Sequence, residues 1–152
     1  MGEKPHHATI NLERSYPAPV GRVFAAFADP VTRAKWSAPP NDALIYDEAN
    51  FCEGGRDVFR CGPANDLKFR GETTYLVIVP NQCVISAETV VTAGKRLAVA
   101  LNSLGFDESG AGTTLKLTVQ LVSFAGPGVV EAYQSGNRSA LEGLSTYLQS
   151  PP

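Results

Sequence analysis

The sequence predicts an α+β fold: a curved antiparallel sheet of about seven strands wrapped around a long C-terminal helix, with two short helices after the first strand. Three observations predict it. From about residue 42 to residue 124 the chain reads as six strand-like runs separated by short turns. After Gly126-Pro127-Gly128 the apolar spacing changes to a helical period that holds for about 20 residues. Between the first strand and the other six lies "YPAPVGRVFAAFADPVTRAKW", whose prolines break the chain around one short amphipathic pattern.

The first element is "ATINLERSY", where Ile10 and Leu12 alternate with Asn11 and Glu13, the period of a half-buried strand. Pro17 and Pro19 end it, because neither can donate to a ladder. Pro19 suits a first helical position, and Val20, Val23, Phe24 and Phe27 then fall on one helix face. Asp29-Pro30 repeats the signal, Asp29 as cap and Pro30 in the first turn of a second helix running towards Trp36. The six strands follow as "ALIYDEANFCE", "RDVFRCG", "DLKFRGETTYLVIV", "QCVISAETVVT", "RLAVALNSLGFD" and "TTLKLTVQLVSF". The last is the clearest: Leu115, Leu117, Val119 and Leu121 share one face, and Thr114, Lys116, Thr118 and Gln120 the other. Connections this short predict an antiparallel meander. The closing helix carries Val129, Tyr133, Asn137, Leu141, Leu144 and Leu148 on one stripe.

At 152 residues the chain fits one domain, expected from about residue 8 to 149, with flexible tails at 1–7 and 150–152. A net charge of −2 with scattered Lys and Arg argues against a nucleic-acid partner. No apolar run approaches the roughly 20 residues that cross a bilayer, and the N-terminus lacks a signal-peptide core. A cytoplasmic location without membrane insertion is the expectation, as monomer or homodimer. Cys52, Cys61 and Cys83 are widely spaced, an odd set that reads as free thiols. The only histidines, His6 and His7, are adjacent and near the terminus, so neither a metal nor a cofactor is expected.

One helix about 10–12 Å across cannot cover a strongly curved seven-stranded sheet, so large side chains fill the space or a cavity remains. Gly136 and Gly143 inside the helix each cost up to about 1 kcal/mol relative to Ala, which suggests close backbone approach or room for a guest. The candidate ligand-binding wall is Trp36, Tyr46, Phe51, Phe59, Phe69, Tyr75 and Tyr133, joined on the helix by Asn137 and Leu141. Its expected occupant is a small apolar or amphipathic molecule. No nucleophile elbow, P-loop or dinucleotide fingerprint is present, and no catalytic residue is assigned. The remaining acid–base candidates are Glu53, Asp57, Glu72, Glu88 and Asp107. Glu72 and Arg70 share a strand face opposite Phe69 and are expected to point outward; Arg60 and Glu88 are open either way. An inward carboxyl with a raised pKa would favour an enzyme, and an apolar pocket without one a binding protein.

The arrangement resembles the helix-grip proteins of the START and birch-pollen-allergen-like superfamily. Within it the chain is similar to the bacterial branch related to the activator of the 90-kDa heat-shock protein ATPase. The residues that carry this are Arg14, Ala18-Pro19, Val23-Phe24, Asp29-Pro30 and Trp36, then Gly54-Gly55, Gly71-Glu72, Val79-Pro80 and Gly112-Thr113-Thr114-Leu115. Their order spans residues 8 to 149. Where many members carry Gly-Trp in the final helix, this chain has Gly136-Asn137, which implies a differently shaped cavity. The resemblance implies a ligand-binding cavity, with a chaperone-ATPase activator or a cyclase- or hydrolase-type enzyme as alternatives. It also implies that the two short helices seat the long one, with Trp36 plugging the core or lining the pocket.

Overall fold

In a computed structural model, described here for residues 4–151, the order of elements is the expected one. Strand β1 (His6–Tyr16) is followed by helices α1 (Val20–Ala28) and α2 (Pro30–Ser37). Strands β2 (Asp42–Glu48), β3 (Arg56–Pro63), β4 (Phe69–Val79), β5 (Cys83–Thr92), β6 (Lys95–Ser109) and β7 (Gly112–Ser123) precede helix α3 (Pro127–Gln149). All strand pairs are antiparallel, in the order β1-β7-β6-β5-β4-β3-β2. Consecutive strands from β2 to β7 are neighbours, and only β1 joins out of sequence, beside β7. The chain must therefore cross from one sheet edge to the other between β1 and β2, and α1 and α2 make that crossing.

Three expectations shift at their boundaries. β1 begins at His6, so His6 and His7 are exposed strand residues facing Ser123 and Val122 rather than tail. Residues 1–3 and 152 of the expected tails lie outside the described residues. Pro19 caps α1 from the extended region instead of opening its first turn. β2 stops at Glu48, because Asn50 turns back so that its N–H reaches the Asp57 carboxylate at 3.3 Å.

The crossing helices are held by the signals the sequence carries. Asp29 accepts from the Val31 N–H at 3.2 Å and from the Thr32 hydroxyl at 2.7 Å, and Pro30 occupies the first turn. Trp36 donates from Nε1 to the Ala26 carbonyl at 3.1 Å and meets Phe27 edge-on, with ring centroids 4.9 Å apart. These contacts fix the angle between α1 and α2.

The core lies under the C-terminal half of α3. Leu115, Leu117, Val119 and Leu121 of β7 pack there with Ile10 and Leu12 of β1 and with Leu141, Leu144 and Leu148 of α3. Tyr16 donates a buried hydrogen bond to the Leu141 carbonyl at 2.9 Å, and Arg22 closes the end of α3 through the Leu148 and Ser150 carbonyls. Three β-bulges interrupt the sheet, between Tyr46 and Glu48 in β2, between Tyr75 and Val77 in β4, and at Leu97 in β6, opposite Val90 and Val91. A bulge kinks its strand and re-aims the side chains beside it.

Candidate functional site

The two halves of α3 differ. Its C-terminal half is closed against the core, with Leu144 fully buried. Its N-terminal half presents Ala132, Tyr133, Gly136, Asn137 and Ala140 over β3, β4 and β5, and beneath it lies a cavity of about 470 Å³. That volume is in the range of small-molecule pockets. The exposed members of its wall, Asp42 and Ala132, place the mouth between the start of β2 and the start of α3.

The two helix glycines have opposite causes. A Cβ on Gly143 would stand 2.1 Å from the Trp36 carbonyl oxygen, so this glycine permits α2 and α3 to touch. A Cβ on Gly136 would meet nothing within 4 Å, and Gly136 lines the cavity. In the opposite wall Phe59 lies over Gly71, its cross-strand partner, where a Cβ would enter the ring at 2.1 Å.

The structure brings all nine sequence-predicted residues to this cavity: Trp36, Tyr46, Phe51, Phe59, Phe69, Tyr75, Tyr133, Asn137 and Leu141. It adds two polar groupings. The first joins α2, β2, β3 and β4. The Arg33 guanidinium donates from Nη1 to the Tyr75 hydroxyl, and Tyr75 in turn donates to Asp57. Arg33 Nη2 stands 3.2 Å from Asp57 Oδ2, and the Tyr46 ring lies against the guanidinium at 4.7 Å. The side chains of Arg33 and Asp57 are 11% and 3% exposed, so the pair is largely desolvated. Arg33 Nε and Nη2 are sealed from water and make no hydrogen bond. Burial raises the Tyr46 hydroxyl to about 12 despite the adjacent cation.

The second grouping is Glu88 on β5 with Tyr133 on α3. Tyr133 donates to Glu88 Oε2 at 2.9 Å, and Cys61, its thiol pushed up to about 11 by burial, faces the same space. Burial holds the Glu88 carboxyl above its ordinary 4.5, opposed by the Tyr133 hydrogen bond. The folded protein thus keeps a proton that the unfolded chain releases above that pH. The resulting stabilisation is complete below about 4.5 and is lost as pH rises through the higher folded value. Glu88→Gln cannot titrate and is expected to flatten this decline in urea denaturation at about pH 4, 6 and 8. Equal slopes for both proteins would show that folding leaves the Glu88 carboxyl at its ordinary value.

Of the other carboxyls, Glu53, Glu72 and Asp107 are exposed and stand outside the cavity wall. Arg70 and Glu72 face outward as expected, Glu72 near Arg56 at 3.6 Å. Arg60 also turns outward, onto Asp47 at 2.9 Å. Asp57 and Glu88 are the inward ones, so the wall is not purely apolar. Arg33 was not among the expected residues, although it lies one helical turn before Trp36 and so shares its face. Among the described residues no three His, Cys, Asp or Glu side chains are grouped to hold a metal. No helix among them is long and apolar enough to cross a membrane.

Comparison with solved structures places this fold among bacterial proteins. Mll3558 of Rhizobium loti superposes with a TM-score of 0.84 at 28% identity, over 95% of this chain and 99% of that one. A protein from Rhizobium leguminosarum gives 0.83 at 26%, over 96% and 97%. CV1439 of Chromobacterium violaceum gives 0.83 at 23%, over 94% and 98%, a likeness of fold. A sequence search of curated proteins finds no match. Residues 17–149, from the turn after β1 to the end of α3, match one family throughout, and the chain belongs to it: the activator of Hsp90 ATPase homolog 1-like proteins.

Proposed function

We propose that the protein binds a small hydrophobic or amphipathic molecule in the cavity between the sheet and α3. One observation carries this reading: a space of about 470 Å³ walled by Trp36, Phe51, Phe59, Phe69 and Leu141, with a few polar groups aimed from two sides. Apolar walls supply affinity by removing ligand surface from water, and sparse polar groups supply orientation. All nine wall residues named from the sequence enter as ligand contacts in this reading.

Trp36 is the only tryptophan and reports on the wall it belongs to. Its emission is expected to shift on titration with members of a library of lipids and polycyclic aromatics. Gly136→Leu places a side chain in open space, so it is expected to weaken the responding ligands about tenfold or more without lowering the melting temperature. A library that leaves Trp36 unperturbed, or a Gly136→Leu protein that binds as before, would count against the cavity as a ligand site.

Glu88 supports a second reading, an enzyme whose cavity carboxyl exchanges a proton with bound substrate. Conversion of a bound molecule that ceases in Glu88→Gln while binding persists is the result that separates it from the first. A chaperone ATPase as partner has the family's name behind it. Co-purification and stimulation of ATP hydrolysis test it directly.

A further inference from the structure

Four charged side chains stand in the cavity wall: Arg33, Asp42, Asp57 and Glu88, one guanidinium against three carboxyls. Arg33 is already committed, through Nη1 to Tyr75 and through Nη2 to Asp57, and its Nε and Nη2 are sealed from water. No cation is left for Glu88: the six ion pairs among the described residues involve other carboxylates. Glu88 Oε2 accepts from Tyr133, whereas Oε1 has no hydrogen-bond partner. Oε1 is not sealed either, since the buried atoms without partners all belong to Arg33. It therefore opens on the cavity. The same wall carries the rings of Phe59, Phe69 and Tyr133, apolar surface for a ligand's body, whereas the Tyr46 ring is already occupied by Arg33.

From this geometry we infer that the occupant is an organic amine, protonated when bound, whose N–H donates to Glu88 Oε1 while its apolar body fills the aromatic wall. The inference rests on the cavity reading above and names the class of ligand. A carboxylate or phosphate ligand would add negative charge beside three carboxyls and find no unspent cation. A purely apolar ligand would leave the open carboxyl oxygen desolvated and unpartnered, which weakens its binding. The ammonium supplies the missing donor and the missing charge together.

Proton accounting gives the inference its signature. In the empty cavity burial favours the protonated carboxyl. An ammonium ion that pairs with Glu88 expels that proton to solvent, and an amine that enters neutral takes it up. Both routes end in the same ammonium–carboxylate pair. Tyr46, Cys61 and Tyr133, the other titratable groups facing Glu88 from β2, β3 and α3, all have raised values and stay neutral through mid-pH. The Arg33–Asp57 pair stays internally balanced.

Three compounds with one ring system test this: 2-(aminomethyl)anthracene, 2-ethylanthracene and anthracene-2-carboxylate. Calorimetric titrations at neutral pH in two buffers of different ionisation enthalpy read affinity and proton exchange together. The amine is expected to bind at least about tenfold more tightly than the ethyl compound, with the carboxylate weakest, and with any proton that Glu88 holds at that pH released to buffer. Glu88→Gln keeps the shape and an acceptor for Tyr133, and is expected to abolish both the amine's advantage and the proton release. An ethyl compound that binds as tightly as the amine, or a carboxylate that binds tightest, overturns the inference and leaves the cavity reading standing. Binding by none of the three overturns both.

Discussion

Arg33→Met is expected to lower the free energy of unfolding by about 3–5 kcal/mol. Met matches the length of the Arg stem but leaves Asp57, 3% exposed, buried without its counter-charge. Tyr75 and the Asn50 N–H still donate to Asp57, and two neutral hydrogen bonds do not replace a guanidinium. The double substitution Arg33→Met with Asp57→Leu removes both charges and is expected to recover most of the loss, because apolar groups of similar volume replace a buried pair at little net change. Urea denaturation of both proteins decides the matter. A single substitution costing under about 1 kcal/mol would mean that water reaches Asp57 and that the pair is not desolvated as its burial indicates.

Gly143→Ala and Gly136→Ala are expected to move stability in opposite directions. In an exposed helix interior, glycine to alanine stabilises by up to about 1 kcal/mol. Gly136 has open space where the methyl would go, and that gain is expected there. At Gly143 the methyl meets the Trp36 carbonyl oxygen at 2.1 Å and its carbon at 3.2 Å, both backbone atoms of α2. Neither can swing aside, so α2 and α3 must separate, at about 1–3 kcal/mol or more. Thermal denaturation gives the comparison; a stabilised Gly143→Ala protein would mean that the two helices are not in firm contact.

These expectations draw unequally on what the sequence makes legible. Sheet and helices were readable because their signals are local: strand alternation, Gly and Pro punctuation, and the helical stripe after Gly128. On β3 the sequence places Phe59 in the wall; Asp57 alternates in step with it, yet its face, like that of Arg60, stays open until the sheet is seen. So does the face of Glu88. Its strand carries Val84, Ser86 and Val90 on one face and Ile85, Ala87 and Val91 on the other, so apolar content assigns neither side. Arg33 was hidden for another reason. On an eight-residue helix with a weak apolar stripe, a cation reads as solvent-facing until its partners arrive from β3 and β4. Ion pairs between distant segments leave no periodic trace in a sequence. A lid too narrow for its sheet leaves two outcomes, filling side chains or a cavity, and the structure has the cavity.

The bulges bear on how such a protein could change its preferences. Tyr46 and Tyr75, the aromatic neighbours of Arg33, each occupy the last paired position before the ladder slips. Losing or gaining one residue there would swing either ring away from the guanidinium while β7, β1 and α3 kept their packing. Recognition and folding are thus written in separable parts of the chain, and single-residue insertions or deletions in two strands give evolution, or an engineer, a dial for the pocket that leaves the scaffold alone.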